Sequence, residues 1–474
     1  MEPPLPDDVP LLGGLPLSRT IAWRSGKAIS AGSLLAEAEV LARRLPEAGR
    51  PINLCQDRCL FSVALLAGLM RGQVCLLPPN SLPATLALLR HSGRVEDAPP
   101  DCQQSPQTYA LIDEPGLEVD GMVALLVAPL EGLAPLQAEP RVAADLLALC
   151  LLTSGSTGAP SPHAKTWGAM QLNIAAGAEC LAQALGLPSL FGLSVVATVP
   201  PQHSYGLESS VLLALLGGAA MDCGRPFYSA DIAAALEALP RPRALVTTPF
   251  HLKSLLLAGL ALPPVDLIVS ATAPLSPQLA AQAEAACNAR LVEIYGCTEA
   301  GQVAARRTTQ GDVWTMLGSI RCERVATPAG DSFVVSGGHV SEPTALSDVL
   351  ELLDERHFRL LGRANDLIHV AGKRSSLAHL NFHLNRVEGV DDGVFWLPDE
   401  VLEGVVRLVA FVVAPRLSAR QVLAALHGRF EPAFMPRRIV HVEALPREAT
   451  GKLSAQGLRQ FALDTLARQG RRSP

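Results

Sequence analysis

The chain has 474 residues, 49% of them hydrophobic and 18% charged, which suits a large core spread over more than one domain and excludes a disordered chain. Its net charge of −6 gives no electrostatic case for nucleic acid or for an anionic membrane surface. No apolar run approaches the roughly 20 residues that cross a bilayer, and the start is acidic and proline-rich, unlike a secretory leader. A cytoplasmic protein with no transmembrane segment is expected.

The ten cysteines fall between positions 55 and 322. They form no C-x-x-C pair, and Cys55 and Cys59 have no histidine or cysteine at ligand spacing. Reduced, mostly buried thiols are the expectation.

In chain order, apolar periodicity predicts a helix over residues 31–45, a short strand at 52–54, a helix over 61–70 and a buried strand at 74–77. The rhythm continues through 85–91. Residues 95–140 are rich in proline and acid and predict loops with one or two short strands. An apolar strand over 144–152 then runs into Thr153, Ser154, Gly155, Ser156, Thr157 and Gly158. Nothing bulky stands among these six. Such a loop can turn its N–H groups and hydroxyls inward around phosphate, with glycine allowing the backbone angles required. Its tail, Ser161 to Trp167, reads as a continuation of the loop.

Helices follow over 167–185, 206–216, 249–257 and 278–287, alternating with strands at 194–199, 244–247, 267–270 and 290–294. That beat predicts βαβ units and a mostly parallel, doubly wound α/β sheet. Shorter segments of β character at 331–336 and 349–361 predict an antiparallel subdomain. From 365 onward the pattern is α+β, with strands at 393–397 and 407–413 and helices at 418–429 and 456–468. The expected division is therefore a large N-terminal domain, 1–364, and a small mobile C-terminal domain, 365–474.

Several chemical clusters join the loop. Tyr295, Gly296, Thr298 and Glu299 follow the strand at 290–294, at the edge where parallel sheets bind ligands. A carboxylate there could hold Mg2+, which takes oxygen ligands. Asp348 and, fifteen residues later, Arg363 could grip a ribose diol from adjacent strands. Near the end, Gly451 precedes Lys452. Taken singly, Glu299 reads as a solvated loop charge and Lys452 as a solvated lysine.

In this order the motifs resemble those of the adenylate-forming superfamily, which includes acyl-CoA synthetases, peptide-synthetase adenylation domains and luciferases, over residues 20–460. The resemblance implies ATP and Mg2+ as cofactors and a carboxylic acid substrate activated as an acyl-adenylate. A phosphopantetheine thiol, on a carrier protein or on coenzyme A, would then displace AMP. It assigns the Thr153–Gly158 loop to pyrophosphate, and His203 with Tyr205 to the acyl pocket. Ala273 and Pro274 would line adenine and carboxylate; Tyr295 and Gly296 would bind adenine. Thr298 would bind phosphate and Glu299 the metal. Asp348 and Arg363 would hold ribose, Lys452 the reacting carboxylate, and Asn365 would be the hinge between domain orientations. The family's lysine after the loop proline is absent; Ser161 follows Pro160, and Lys165 is the nearest basic group and the expected stand-in. The His163-x-Lys165-x-Trp167 tail is similar to that of aryl polyene and xanthomonadin-type ligases, which load a hydroxybenzoate-like acid onto an acyl carrier protein. A free-CoA synthetase and a lapsed nucleotide-binding regulator are the alternatives. A P-loop NTPase is excluded, since no Gly-Lys-Ser/Thr closes the loop.

Overall fold

A computed structural model of the chain describes residues 6–91, 108–154, 160–327, 330–363, 367–370, 373–398, 408–429, 432–447 and 453–470. Two large sheets dominate. The six-stranded sheet runs in the order Pro160–Thr166, Leu147–Ser154, Cys75–Leu77, Arg50–Asn53, Thr108–Ile112, Ala124–Leu126. Its pairs are parallel apart from the first, which is an antiparallel hairpin. The eleven-stranded sheet has a parallel centre. There Thr20–Arg24, Ala220–Asp222, Ser194–Ala197, Arg243–Thr247, Leu267–Ser270 and Arg290–Cys297 lie side by side. Antiparallel strands flank it, ending in His357–Arg363 and Asp348–Leu352.

The main core lies against the inner faces of these sheets. Helix Arg58–Met70 contributes a nearly all-apolar surface to it, Phe61, Val63 and Leu65 among its residues, and Trp167 and Ile174 come from helix Trp167–Leu185. A helix apolar on every side is stable only when covered on every side, which a position between two layers supplies. Both helices are capped by a side chain, Asp57 on Leu60 N–H and Thr166 on Ala169 N–H. A three-stranded antiparallel sheet, Arg321–Thr327, Gly330–Gly337 and Val340–Leu346, takes the first expected antiparallel segment, whereas 349–361 pairs as Asp348–Leu352 with His357–Arg363 at the end of the large sheet; the two share a core around Trp314 and Phe358.

The C-terminal part is a separate α+β unit. Strands Asp392–Trp396, Val409–Val413 and Arg438–His441 pack against helices Leu377–Leu384, Ala419–Leu426 and Ala455–Gly470, with cores on both faces of the sheet. The expected boundary at 364/365 lies outside the described residues. Among the described residues, no helix is long and apolar enough to cross a membrane.

Two local expectations change. The tail after the phosphate loop is a strand, Pro160–Thr166, paired with Leu147–Ser154. Pro160 and Pro162 argue against a strand in sequence, yet this one is at the sheet's edge, where proline breaks no ladder on its outer side. The hairpin Thr20–Arg24/Lys27–Ser30 has no counterpart in the sequence reading. Its turn, Ser25 and Gly26 at φ +51° and +76°, is of the paired positive-φ kind that tight hairpins prefer.

Candidate active site

Four parallel strands, Ser194–Ala197, Arg243–Thr247, Leu267–Ser270 and Arg290–Cys297, deliver their carboxyl ends to one edge of the large sheet. The chemistry collects there. Strand Arg290–Cys297 turns through Thr298, Glu299 and Ala300 into the antiparallel strand Gly301–Arg306, with a register shift at Tyr295/Gly296. Bulges of this kind re-aim side chains next to sites. The turn is too tight for side chains at its base: a Cβ on Gly296 would sit 2.2 Å from the Gly301 carbonyl oxygen, and Gly301 has φ +77°. Thr298 is half-buried and Glu299 exposed.

His163 and Lys165, two apart on strand Pro160–Thr166, share one face of it. Both reach the turn. Lys165 Nζ donates to the Glu299 carbonyl oxygen, and His163 Nε2 stands 3.8 Å from Glu299 Oε1. Burial lowers the pKa of Lys165, opposed by Glu208, Cys297 and Glu299, and burial likewise lowers that of His163. Across the turn, His339 donates Nε2–H to the Ala300 carbonyl at 2.9 Å; burial depresses it to about 4, so it is neutral.

The segment 203–216 begins with His203 and is helical from Ser204, with a π-helical stretch, Leu207–Leu212, inside it. Single π turns gather at functional sites. Glu208 lies on that stretch, 2% exposed, and accepts from Ser204 Oγ at 2.6 Å; burial raises its pKa. Tyr205 shares its hydroxyl proton between the Thr247 and Val269 carbonyls, both at 2.9 Å, at the ends of two adjacent strands. Just beyond, Ser270 Oγ and Thr272 Oγ1 are buried atoms with no hydrogen-bond partner. Thr272 has φ +78°, a conformation that costs a β-branched residue on the order of 1–3 kcal/mol. Ala273 and Pro274 complete the segment, which is pinned behind by Leu275 N–H on Glu293 Oε1 at 3.3 Å.

On the other side, Tyr295 donates its hydroxyl to Asp348 Oδ2 at 2.7 Å, and its ring packs on Trp314 and Phe358. Asp348 is the register partner of Arg363 across the terminal strand pair.

Residues 81–323 match the family model of AMP-binding enzymes. The chain belongs to that family. As an AMP-binding enzyme it is an AMP-forming acid–thiol ligase. It is 31% identical to a 4-coumarate–CoA ligase of Rhodobacter capsulatus over 304 residues, 63% of this chain and 73% of the relative. A shorter stretch, 112 residues covering 22% of this chain and 21% of the relative, is 31% identical to a 3-hydroxybenzoate–CoA/4-hydroxybenzoate–CoA ligase of Thauera aromatica. In fold it is similar to the o-succinylbenzoate CoA synthetase of Bacillus subtilis, whose structure holds an acyl-adenylate. The TM-score is 0.75 at 18% identity, covering 96% of this chain and 98% of that one.

Within this AMP-binding enzyme the structure gathers His203, Lys165, Thr298, Glu299, Ala273, Pro274, Tyr295, Gly296 and Asp348 at the sheet edge. Gly155, Ser156, Thr157, Gly158, Asn365 and Lys452 lie outside the described residues. Thr153 and Ser154 are described as the end of strand Leu147–Ser154, and Arg363 by its strand position. Sequence reasoning missed Glu208, His163 as a neighbour of Glu299, His339 and the Glu293 anchor. Glu208 had a signal: it is the one charge in the otherwise neutral run from Tyr205 to Leu216.

Proposed function

We propose that this ligase activates an aromatic acid of the hydroxybenzoate type as its adenylate and passes the acyl group to the phosphopantetheine thiol of an acyl carrier protein, in biosynthesis of an aryl polyene or related pigment. The observation that carries this reading is the strand Pro160–Thr166: the tail that resembles the pigment-type ligases is also the element whose His163 and Lys165 reach the Glu299 turn. The similarity over 112 residues to the Thauera aromatica hydroxybenzoate–CoA ligase supports the acid.

The chemistry runs in two displacements. A carboxylate oxygen attacks the α-phosphorus of ATP, and pyrophosphate leaves with the bonding pair. The thiol, losing its proton, then attacks the acyl carbon and AMP departs. Two anions must meet in the first step, so fixed charge and positioning supply most of the acceleration. Glu299 would hold the Mg2+ that accompanies ATP; its exposed carboxylate and the oxygen-rich turn suit a hard cation, whose charge offsets that of the phosphates. Ser270 Oγ and Thr272 Oγ1, buried without partners, suit a ligand rich in oxygen. Asp348 and Arg363 would take the ribose, the Thr153–Gly158 loop the pyrophosphate, and Lys452 the reacting carboxylate. Lys165, bound to the Glu299 carbonyl, would act by holding the turn in place.

A second reading, transfer to free coenzyme A, is favoured by the similarity to 4-coumarate–CoA ligase. Mass-spectrometric loading of a holo carrier protein and of CoA, side by side, with hydroxybenzoic, cinnamic and fatty acids separates the two. Carrier loading with a hydroxybenzoate should dominate; accumulation of acyl-CoA alone would transfer the assignment to the second reading. Absence of acid-dependent pyrophosphate exchange across the whole panel would leave a nucleotide-binding regulator instead.

A further inference from the structure

Away from the sheet edge, at the start of helix Arg58–Met70, a carboxylate and two thiols converge. Asp57, Cys59 and Cys223 each present one ligand atom, and these three atoms all lie within 4.8 Å of one another. In sequence, Cys59 has no partner at ligand spacing; the fold brings Cys223 to it from the end of strand Ala220–Asp222. We propose that Asp57, Cys59 and Cys223 form a binding site for a thiophilic divalent cation of the zinc class.

The donor set suits such an ion. Zinc takes thiolate sulfur at about 2.3 Å and carboxylate oxygen at about 2.0–2.2 Å, so neighbouring sulfurs around a tetrahedral centre stand roughly 3.8 Å apart. From the 4.8 Å upper bound the sulfurs need to approach by about an ångström at most, and each sulfur and the carboxylate oxygen by slightly more. Harder cations prefer all-oxygen cages and are disfavoured by two sulfurs.

Its frame is already fixed. Arg58 N–H donates to the Cys223 carbonyl at 2.8 Å, and Cys223 N–H to the Trp23 carbonyl at 3.0 Å. The first bond ties the two cysteine-bearing segments together, and the second ties Cys223 to strand Thr20–Arg24. One Asp57 oxygen caps the helix through Leu60 N–H at 2.9 Å, and the Cys59 N–H also bonds the carboxylate, so its orientation beside the thiols is fixed.

Arg24 completes the arrangement. Its Nη2 donates to Cys59 Sγ at 3.1 Å while Nη1 stands 3.8 Å from Glu37 Oε1. Two thiolates and a carboxylate on a divalent ion leave one negative charge, which the guanidinium balances by hydrogen bonding to a ligand sulfur instead of ligating. Outer partners of this kind orient ligands and tune affinity. Both sulfurs are buried, Cys59 at 0% and Cys223 at 3% exposure, under the partly exposed Arg24 and the exposed Gly224.

Binding here also bears on the active site. Arg58, between the two ligands of the helix start, sends its guanidinium to the Ala197 carbonyl at 2.7 Å, to the Val199 and Gly224 carbonyls, and to Ser210 Oγ at 3.2 Å. Ala197 ends the strand that leads through Val199 to His203, Ser210 lies on the π-helical stretch that carries Glu208, and Gly224 directly follows Cys223. An ion that fixes residues 57–59 and 223 therefore steadies the wall of the acid pocket.

The test titrates the reduced, metal-stripped full chain with Co2+ in the absence of oxygen. One equivalent should give a thiolate-to-cobalt charge-transfer band and the visible bands of a tetrahedral centre, release about two protons, and be displaced by Zn2+. Cys59→Ser and Cys223→Ser should each abolish the band. Asp57→Asn, which retains the helix cap, should weaken binding about tenfold or more, and Arg24→Gln by roughly 10- to 100-fold. Mass spectrometry after alkylation covers the case of a variant that does not fold: Zn2+ should protect Cys59 and Cys223 in the wild-type chain. No band, a band that survives both cysteine substitutions, or protection confined to other cysteines overturns the proposal. So does a Cys59–Cys223 disulfide formed by peroxide in a chain that takes up no Co2+, an outcome that would assign a redox pair.

Discussion

Ser270 and Lys165 separate two ways in which one side chain can serve this site. The Ser270 hydroxyl is buried with no partner, and a lost or unmade hydrogen bond in the interior costs on the order of 1–3 kcal/mol. Ser270→Ala removes that cost from the free enzyme. The variant is expected to melt higher than the wild type without ligands and to gain less from ATP plus acid, as read by paired Tm measurements. Equal ligand-induced shifts in the two proteins would show that the hydroxyl never meets the bound species. Lys165 differs because it already has a partner. Lys165→Met retains the aliphatic stem and removes the bond to the Glu299 carbonyl. Displacing the turn by a fraction of an ångström should lower the rate of pyrophosphate release by roughly 10- to 100-fold with little change in Tm. A rate within twofold of wild type would leave Lys165 as packing alone.

Elements hold these residues through a few buried anchors. Glu293, 3% exposed in the middle of strand Arg290–Cys297, accepts from Arg306 at 2.7 and 2.9 Å, from Thr308 Oγ1 at 2.8 Å and from Leu275 N–H. It ties the strand before Glu299 to the segment after Thr272. Glu293→Ala strands the Arg306 charge, which keeps the Asp312 carbonyl at 3.4 Å and the Trp314 ring at 4.3 Å but loses its carboxylate. The expected loss is about 3 kcal/mol by urea denaturation, with Glu293→Gln losing less. Sequence periodicity found the elements that are buried and regular. Helices Trp167–Leu185 and Pro249–Leu257 and strand Leu267–Ser270 match the expected ranges, since each is bounded by a capping residue, a proline or a charge. It failed where two prolines masked an edge strand. It also could not foresee that Cys223 would come to Cys59, because pairing 164 positions apart leaves no local spacing to read. The motif residues were legible as types in an order; the contacts that aim them, such as His339 on Ala300 and Tyr205 between two carbonyls, depend on long-range packing.

At the scale of the molecule, two neutral histidines set the response to acid. His251, between the Thr198 and Thr248 hydroxyls at 3.2 and 3.1 Å, is depressed by burial from 6.5 to about 4, and His339 likewise. Between pH 6.5 and 4 the unfolded chain binds protons that the folded chain refuses, so stability falls as the pH drops through that window and levels off below about 4. Glu208 and Glu293, raised by burial, act in the opposite sense at the acidic end. Urea unfolding across this range should show the decline, and His251→Gln should flatten its slope. An unchanged slope would mean that His251 is protonated in the native state. The two domains meet through cations on one helix and its partner: Lys253 Nζ donates to the Val390 carbonyl at 2.7 Å, and Arg447, paired with Asp392, lies 5.9 Å over Phe250.

The π-helical stretch has a consequence for how the segment from His203 to Leu216 can change length. Such a turn accommodates one residue more than an α-turn, so the run from Ser204 to Leu216 carries a surplus position that backbone hydrogen bonding does not require. Deleting one residue within Leu207–Leu212 would let the run relax to α geometry while the segments on either side keep their faces, because the bulge has already absorbed the extra residue. Tyr205 would keep the Thr247 and Val269 carbonyls, and the change would fall on Glu208 and its neighbours inside the bulge. The stretch is thus a local slot: a change in count re-aims the residues within it and leaves His203 and Tyr205 where they stand.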